Sequence, residues 1–352
     1  MSDFVEFPES DYIRAGNVFA AFTPIRDFRL KNALAMMWFA QLTYEVDDSG
    51  GNKNAAKIAA VKNLWQFQSI TPFRRQAAAL EKSFNTTGLI GERDDAIVIA
   101  FAGTDPGVWE TVVTDGRFVL SQEENTHTGF QAAFRAVAPL DGQGKMLGPI
   151  ADAIAKSSAT GKPIFLTGHS LGAALAILTA DAMATQGTPP RAVYGFGTPC
   201  LGGATFTSRY DAALGDVTYR LVHGRDVVAR VPMFAGYVHV GCVLQIDQDA
   251  KFPNDRAPAL SQGPTFFAPE YLAEIGKYLL GGGIVGIVKG LFVKLPKTPV
   301  EFGRAVIARL PSREGIPLSK WFKLLPPFIR EHLQDRYLAA LTPGAATIRS
   351  DL

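Results

Sequence analysis

Residues 163–185 read PIFLTGHSLGAALAILTADAMAT, and no other stretch constrains the fold as tightly. An apolar run of strand character stops at Gly168-His169-Ser170-Leu171-Gly172, and an Ala-rich helical run starts there at once. A strand that passes straight into a helix turns so sharply that the residue at the bend takes up a strained backbone conformation. Gly168 and Gly172 remove the side chains that would collide across the bend, and Ala173 and Ala174 keep the helix close to a sheet. Ser170 is then presented at the carboxyl end of a strand and at a helix N-terminus, where free N–H groups and the helix dipole favour negative charge. The bare G-x-S-x-G pattern is a weak sign in a chain with 34 Gly; the strand before it and the helix after it give it meaning. The competing reading is a serine that merely caps a helix beside a glycine turn.

The alternation continues on both sides. Residues 26–44 carry Leu30, Ala33, Leu34, Met37, Trp38 and Leu42 at helical spacing, and Asn54 to Trp65 reads as a second helix. Gly88–Glu92 and Ala96–Ala102 read as a hairpin around Arg93-Asp94-Asp95, and AIVIAFA is apolar throughout, as a strand buried on both faces would be. Helices are expected over 128–140 and 148–156. After the central motif come a strand at 192–197, a helix at 204–214, a strand at 217–222 and a further strand at 237–246. Strand–helix–strand repetition points to right-handed crossovers and a mostly parallel central sheet flanked by helices.

A serine hydroxyl is not ionised at neutral pH, so it needs a base, and the base needs an acid to orient it. The chain has five His. His169 sits inside the bend, and His127 and His223 lie upstream of or beside the candidate acid. In the Ser…Asp…His order of this hydrolase logic the base comes last, which leaves His239 and His332. Asp226 follows directly on the strand VTYRLV, at the sheet end where α/β folds place their chemistry; otherwise it is a loop carboxylate paired with Arg225 or Arg230.

Past residue 250 the texture changes. Residues 276–330 hold ten Lys and Arg against two acids, a local charge of +8, so the remainder carries −6 to give the overall +2. A net charge that small does not imply a nucleic-acid partner. Ile284, Ile287, Val288, Leu291 and Leu295 make a helical apolar stripe with Lys289 and Lys294 off it. That is a poor transmembrane span and a better interfacial helix, suited to an anionic membrane or lipid-droplet surface; an ordinary packed helix pair with solvated Lys is the alternative. The N-terminal MSDFVEFPES has no basic stretch and no apolar core of a Sec signal. The expectation is a cytoplasmic or peripheral-membrane protein, or one exported by a signal-less route. Two Cys in a chain this size read as free buried thiols.

Taken in order, these motifs resemble the class 3, fungal-type lipase family of the α/β-hydrolase superfamily. ALAMMWFAQLTYE is similar to its N-terminal helix, IVIAFAGTD to its oxyanion strand (with Ala102 where Arg is usual), THTGF to its His-x-Gly-Phe, and LTGHSLGAALA to its elbow. YGFGTPCLGG, RLVHGRDVVARVP and EHLQDRYL resemble its later turn, its aspartate loop and its terminal histidine segment. The resemblance implies an α/β-hydrolase fold with a late helical cap or lid. It implies one domain over 1–352, with a basic amphipathic cap over 251–326 and a C-terminal helix over 327–352 that carries the base. It makes Ser170, Asp226 and His332 the catalytic set, with Gly168, His169 and Gly172 forming the elbow. It makes the backbone N–H groups of Thr104 and Leu171 the oxyanion hole. It demotes His239, and leaves His127 and His223 structural. The expected activity is hydrolysis of acylglycerols or related small or lipid esters without metal or organic cofactor. Phospholipase A1, feruloyl-type esterase and acyltransferase chemistry are the near alternatives, and a non-catalytic lipid-binding protein on a lipase scaffold is the distant one.

Overall fold

The computed structural model describes residues 5–46, 54–79, 82–103, 125–230, 236–246, 261–262, 317–325 and 327–352. Thr104, the segment 105–119 and nearly all of the expected cap over 251–326, its apolar stripe included, lie outside the described residues.

The elements follow in chain order. Helices α1 (Glu9–Ala15), α2 (Leu30–Leu42) and α3 (Ala55–Leu64) precede strands β1 (Ser69–Ala79), β2 (Lys82–Glu92) and β3 (Ile97–Phe101). Then come α4 (Thr128–Val137), α5 (Pro149–Thr160), β4 (Ile164–His169), α6 (Leu171–Thr185), β5 (Ala192–Phe196), β6 (Gly202–Gly203), α7 (Ala204–Leu214) and β7 (Thr218–His223). The described chain continues with β8 (Tyr237–Val238), β9 (Cys242–Ile246), β10 (Ser261–Gln262), α8 (Leu318–Leu324), α9 (Pro327–Arg330) and α10 (Gln334–Leu341).

Eight strands form one sheet in the order β1-β2-β3-β4-β5-β7-β9-β10. The five from β3 to β9 are parallel, and antiparallel strands finish both edges. This is the mostly parallel, helix-flanked sheet expected of an α/β-hydrolase fold. The parallel strands are covered on both faces, so they read as unbroken apolar runs: every residue of β3, β4, β5 and β7 is buried.

Register decides which face meets which helix. Thr167 pairs with Tyr194, and Gly168 with Gly195. The Thr167 hydroxyl bonds the Met36 carbonyl of α2 at 3.2 Å, so that row faces α2. A Cβ on Gly195 would lie 3.4 Å from the Ala173 Cβ, so the next row faces α6. Side chains alternate along a strand, which puts α2 and α6 on opposite faces of the sheet. Leu171 through Ala180 of α6 are all buried. Such a helix needs small residues all round, which explains its alanines.

An aromatic cluster fastens the N-terminal arm to this core. Phe19 meets Phe67 edge-on with ring centroids 4.8 Å apart, and the Arg93 guanidinium lies 5.2 Å from the Phe19 ring. Contacts of this kind add about 0.5–1.5 kcal/mol each beyond the area they bury. The buried Glu45 carboxylate accepts from the Phe7 N–H and the Tyr12 hydroxyl at 2.8 Å each, and pairs with Lys57. At the other terminus Asp335 accepts from the Thr347 hydroxyl and from the N–H groups of Ile348 and Arg349. Asp11 accepts from the Ser350 N–H, and Leu352 packs against the small cluster of Val5, Tyr44, Leu325 and Leu333. Both cysteines are free and buried.

Three sequence expectations change. Residues 69–79 form an edge strand that the sequence reading did not anticipate. The strand expected over 237–246 is split in two: Tyr237–Val238 pairs with Gly202–Gly203, and Cys242–Ile246 joins the main sheet. Gly241, at φ +65°, makes the corner. The C-terminal helix expected over 327–352 is two shorter ones, Pro327–Arg330 and Gln334–Leu341, with a break between them. Among the described residues no helix is long and apolar enough to cross a membrane.

Candidate active site

The bend between β4 and α6 is as tight as its glycines imply. Ser170 has φ 59° and ψ −129°, a conformation that costs an L-residue on the order of 1–3 kcal/mol. A Cβ on Gly168 would lie 2.2 Å from the backbone carbon of Gly172, and one on Gly172 would lie 2.1 Å from the Phe101 carbonyl oxygen. Neither position tolerates any side chain. Ser170 stands at the N-cap of α6 but makes no side-chain capping bond. That disposes of the reading in which it serves only as a cap. Its N–H donates to the Phe196 carbonyl at 2.8 Å, which ties the bend to the end of β5.

Asp226 lies just beyond β7 and is fully buried. Its Oδ1 accepts the Val228 N–H at 2.8 Å. Its Oδ2 stands 2.8 Å from His332 Nδ1 and accepts the Tyr337 hydroxyl at 2.6 Å. Burial works to raise this carboxyl, but the imidazole of His332 and the bonds from His332 and Tyr337 outweigh it and hold the group below the ordinary carboxylate value. Arg230 grips the backbone of the loop, donating to the carbonyls of Asp226 and Gly224.

His332 does not lie within a helix, as the sequence reading expected, but in the break between α9 and α10. A Cβ on Gly197 would lie 2.8 Å from His332 Nδ1 and Cε1 and 2.8 Å from Asp226 Oδ2. Gly197 has φ +58° and follows Phe196, whose carbonyl holds the Ser170 N–H. The bend and the His–Asp pair therefore meet on two consecutive residues, Phe196 and Gly197. The Glu331 carboxylate accepts the Arg225 N–H, clasping the histidine segment to the aspartate loop a second time.

The other histidines are placed elsewhere. His239 Nε2 stands 2.9 Å from the Ala229 carbonyl. His127 Nδ1 accepts the Gly129 N–H at 3.0 Å and caps α4. His223 closes β7, and its ring lies tilted against Tyr337 with centroids 5.7 Å apart. Leu171 opens α6, and Gly103 is the last described residue before Thr104. Sequence reasoning missed the roles of Tyr337, Gly197 and Glu331, although all three stand in segments that it singled out. A cavity of about 410 Å³ lies at the opposite end of the sheet, where β4 starts, lined by Arg26, Ile164, Arg191 and Leu214 among others. It has no part in this arrangement.

Residues 98–236 match the family model described as Lipase (class 3). This segment is similar to the class 3 lipases. It spans the elbow, the aspartate loop and the strand that leads to Thr104. Over 78 residues the chain is 37% identical to "Secreted mono- and diacylglycerol lipase A" of Penicillium cyclopium, covering 22% of this chain and 25% of that one. Over 99 residues it is 41% identical to "Phospholipase A1-II 6" of Oryza sativa subsp. japonica, covering 24% of each. It thus spans about a quarter of the length of the first curated relatives it matches. Among solved structures it is similar to a lipase from Rhizopus microsporus var. chinensis, with TM-score 0.49 and 22% identity over 66% of this chain and 78% of that one. Several of the lipase relatives are named as secreted, which overturns the cytoplasmic or peripheral-membrane expectation. The physical reason is plain: the composition of MSDFVEFPES describes those ten residues and carries no information on the route a protein takes.

Proposed function

We propose that this chain is a serine ester hydrolase of lipase type acting on acylglycerols or related lipid esters. The observation that carries the reading is the buried Asp226–His332 pair at 2.8 Å, meeting the strained bend of Ser170 across Gly197. Ser170 Oγ attacks the ester carbonyl while His332 Nε2 takes its proton. The proton then passes to the departing alcohol oxygen, leaving an acyl-serine. Water, deprotonated by the same imidazole, releases the carboxylic acid and restores Ser170. Asp226 fixes the tautomer, since the bond to its Oδ2 commits the Nδ1 proton and leaves Nε2 to accept. The oxyanion forms against the N–H of Leu171 and that of Thr104, each such donor contributing about 3 kcal/mol.

A second reading, phospholipase A1 action on the same triad, is favoured by the rice relatives of that name. The +8 charge of residues 276–330 supports a further part of the proposal. In it, the segment 251–326 caps the site and docks the protein on anionic lipid, within a single domain over 1–352. Relatives named as secreted support an exported protein. The deciding experiment is hydrolysis of emulsified mono-, di- and triacylglycerol beside phosphatidylcholine vesicles, with Ser170→Ala as control. Release of fatty acid by wild type alone supports the activity, and the preferred substrate separates the two readings. Equal release by both proteins, or by neither, refutes them. Vesicle binding that ignores anionic lipid content and salt refutes the docking.

A further inference from the structure

Behind the nucleophile lies a run of polar groups that the proposed reaction does not consume. His169 Nε2 stands 2.7 Å from the backbone carbonyl oxygen of His332. Its Nδ1 stands 2.9 Å from the Tyr44 hydroxyl. The Tyr44 oxygen receives the Gly103 N–H at 3.2 Å. All three bonds are at least partly shielded from solvent, and His169 itself is buried.

Chemistry fixes the direction of every bond. A carbonyl oxygen only accepts, so Nε2 of His169 carries a proton. Burial, and then the neighbouring His332, push the His169 imidazole down to about 3, so it is neutral and Nδ1 is a bare lone pair. The Tyr44 hydroxyl must then donate to Nδ1, and its oxygen is left to accept from Gly103. One ordered sequence results: Gly103 N–H to Tyr44, Tyr44 O–H to His169 Nδ1, and His169 Nε2–H to the His332 carbonyl.

We infer that His169 is a positioning residue, which locks the backbone of His332 to Gly103 so that the base and the oxyanion strand keep one common register about Ser170. The inference rests on the ester-hydrolase reading. Its logic is mechanical. His332 sits in a break between two helices, so no continuous helix sets its backbone. Its side chain is held by Asp226 through Nδ1, and the bond to its carbonyl anchors the backbone from which that side chain springs. At the far end, a Cβ on Gly103 would lie 2.3 Å from the Tyr44 oxygen, 2.7 Å from the His169 carbonyl and 3.0 Å from the Ser170 Cβ. Tyr44, the bend and the end of β3 are therefore in direct contact, and a shift in one is felt by the others. The His169 and His332 rings are also in contact, tilted at 31° with centroids 4.5 Å apart, so the imidazole of the proposed base leans on the residue that holds its backbone.

The test uses the lengths of two amides. A glutamine at 169 reaches as far as Nε2 and donates from there; an asparagine reaches only the place of Nδ1. The full-length wild type, His169→Asn, His169→Gln and Tyr44→Phe are compared for kcat and KM on p-nitrophenyl butyrate, for fluorophosphonate labelling, and for melting temperature. Misplacing a catalytic group by about 1 Å costs about 100-fold, so His169→Asn should lose roughly 30- to 100-fold in kcat with KM within about 2-fold. His169→Gln should recover most of that loss, and Tyr44→Phe should lose about 10-fold. A His169→Asn protein with wild-type kcat overturns the inference. So does an equal loss in both amide variants, which marks a packing role, or a loss confined to KM. Should His169→Asn fail to fold, Tyr44→Phe decides alone, and an unchanged kcat there overturns it. Wild type inert to both ester and fluorophosphonate overturns the hydrolase reading and this one with it; active wild type with an unmoved His169→Asn overturns only the positioning role.

Discussion

Replacing Gly197 with alanine adds one methyl group at the place where the bend and the His–Asp pair meet. Two costs follow, and they are separable. The first is conformational: φ is +58°, and an L-residue there costs about 1–2 kcal/mol. The second is steric. The new Cβ would lie 2.8 Å from His332 Nδ1, His332 Cε1 and Asp226 Oδ2, roughly 0.6 Å or more inside ordinary contact. The Asp226 carboxylate is held by the Val228 and Ala229 N–H groups and the Tyr337 hydroxyl and cannot retreat, so the imidazole must move. A displacement of that order in a catalytic group costs about 100-fold in kcat. Gly161 supplies the control. It has φ +72°, and a Cβ there would meet nothing within 4 Å, so Gly161→Ala carries the conformational cost without the collision. Both variants should melt a few degrees below wild type, since about 1–2 kcal/mol is involved in each. Only Gly197→Ala should lose turnover of a p-nitrophenyl ester and slow its reaction with a fluorophosphonate. If Gly197→Ala and Gly161→Ala retain the same kcat, the geometry assigned to His332 is wrong.

The remaining predictions probe the base, the elbow and the buried imidazoles. His332→Ala should lower kcat by about as much as Ser170→Ala, because members of a triad fail together; His239→Ala, whose ring bonds the Ala229 carbonyl, should keep turnover, and the reverse pattern in steady-state assays would reassign the base. Gly172→Ala forces a methyl onto the Phe101 carbonyl at 2.1 Å, so soluble yield and melting temperature should fall by an overpacking cost of about 3 kcal/mol or more; a wild-type melting curve refutes this. Burial lowers His127 to about 4 and His169 to about 3, and also lowers His239. These groups stay neutral in the fold while the unfolded chain takes up their protons below about pH 6.5, so stability is full above that pH and is lost as the pH falls toward the folded values. From about pH 7 to 5.5 His127 and His169 together remove about 2.5 kcal/mol, and His239 acts in the same sense. Glu45 works in the opposite sense, since burial raises its carboxyl. Urea unfolding midpoints that stay level over this interval would contradict neutral buried imidazoles.

What the sequence disclosed depended on how local each interaction is. The bend at Ser170 was legible because its strand, its two glycines and its helix are contiguous, and the collisions that demand those glycines lie within the bend or on the adjoining strand. Asp226 was legible for a similar reason, standing at the end of an unbroken apolar strand. The break at His332 was not. Pro327 opens a helix in either case, but the chain leaves it at 331–333, where its groups are taken by distant partners: the side chain of His332 by Asp226 and its carbonyl by His169. Nothing in EHLQDRYL announces those partners. The strand over 69–79 escaped because it lies at the sheet's edge, where SITPFRRQAAA needs neither a strict alternation nor an N–H at Pro72. Gly241 showed that one residue at positive φ can divide a run that alternates perfectly well on paper.

The strap formed by residues 347–350 has a practical side. Asp335 and Asp11 hold its amides, and Leu352 rests on the patch that backs Tyr44 and Leu333. Two residues of that patch flank the machinery directly: Tyr44 touches His169, and Leu333 follows His332. A purification tag fused after Leu352 would tug on the buttress of the imidazole proposed as the base, though it would sit far from it in any diagram of the chain. Recombinant protein carrying such a handle should be assayed only after the handle has been cleaved.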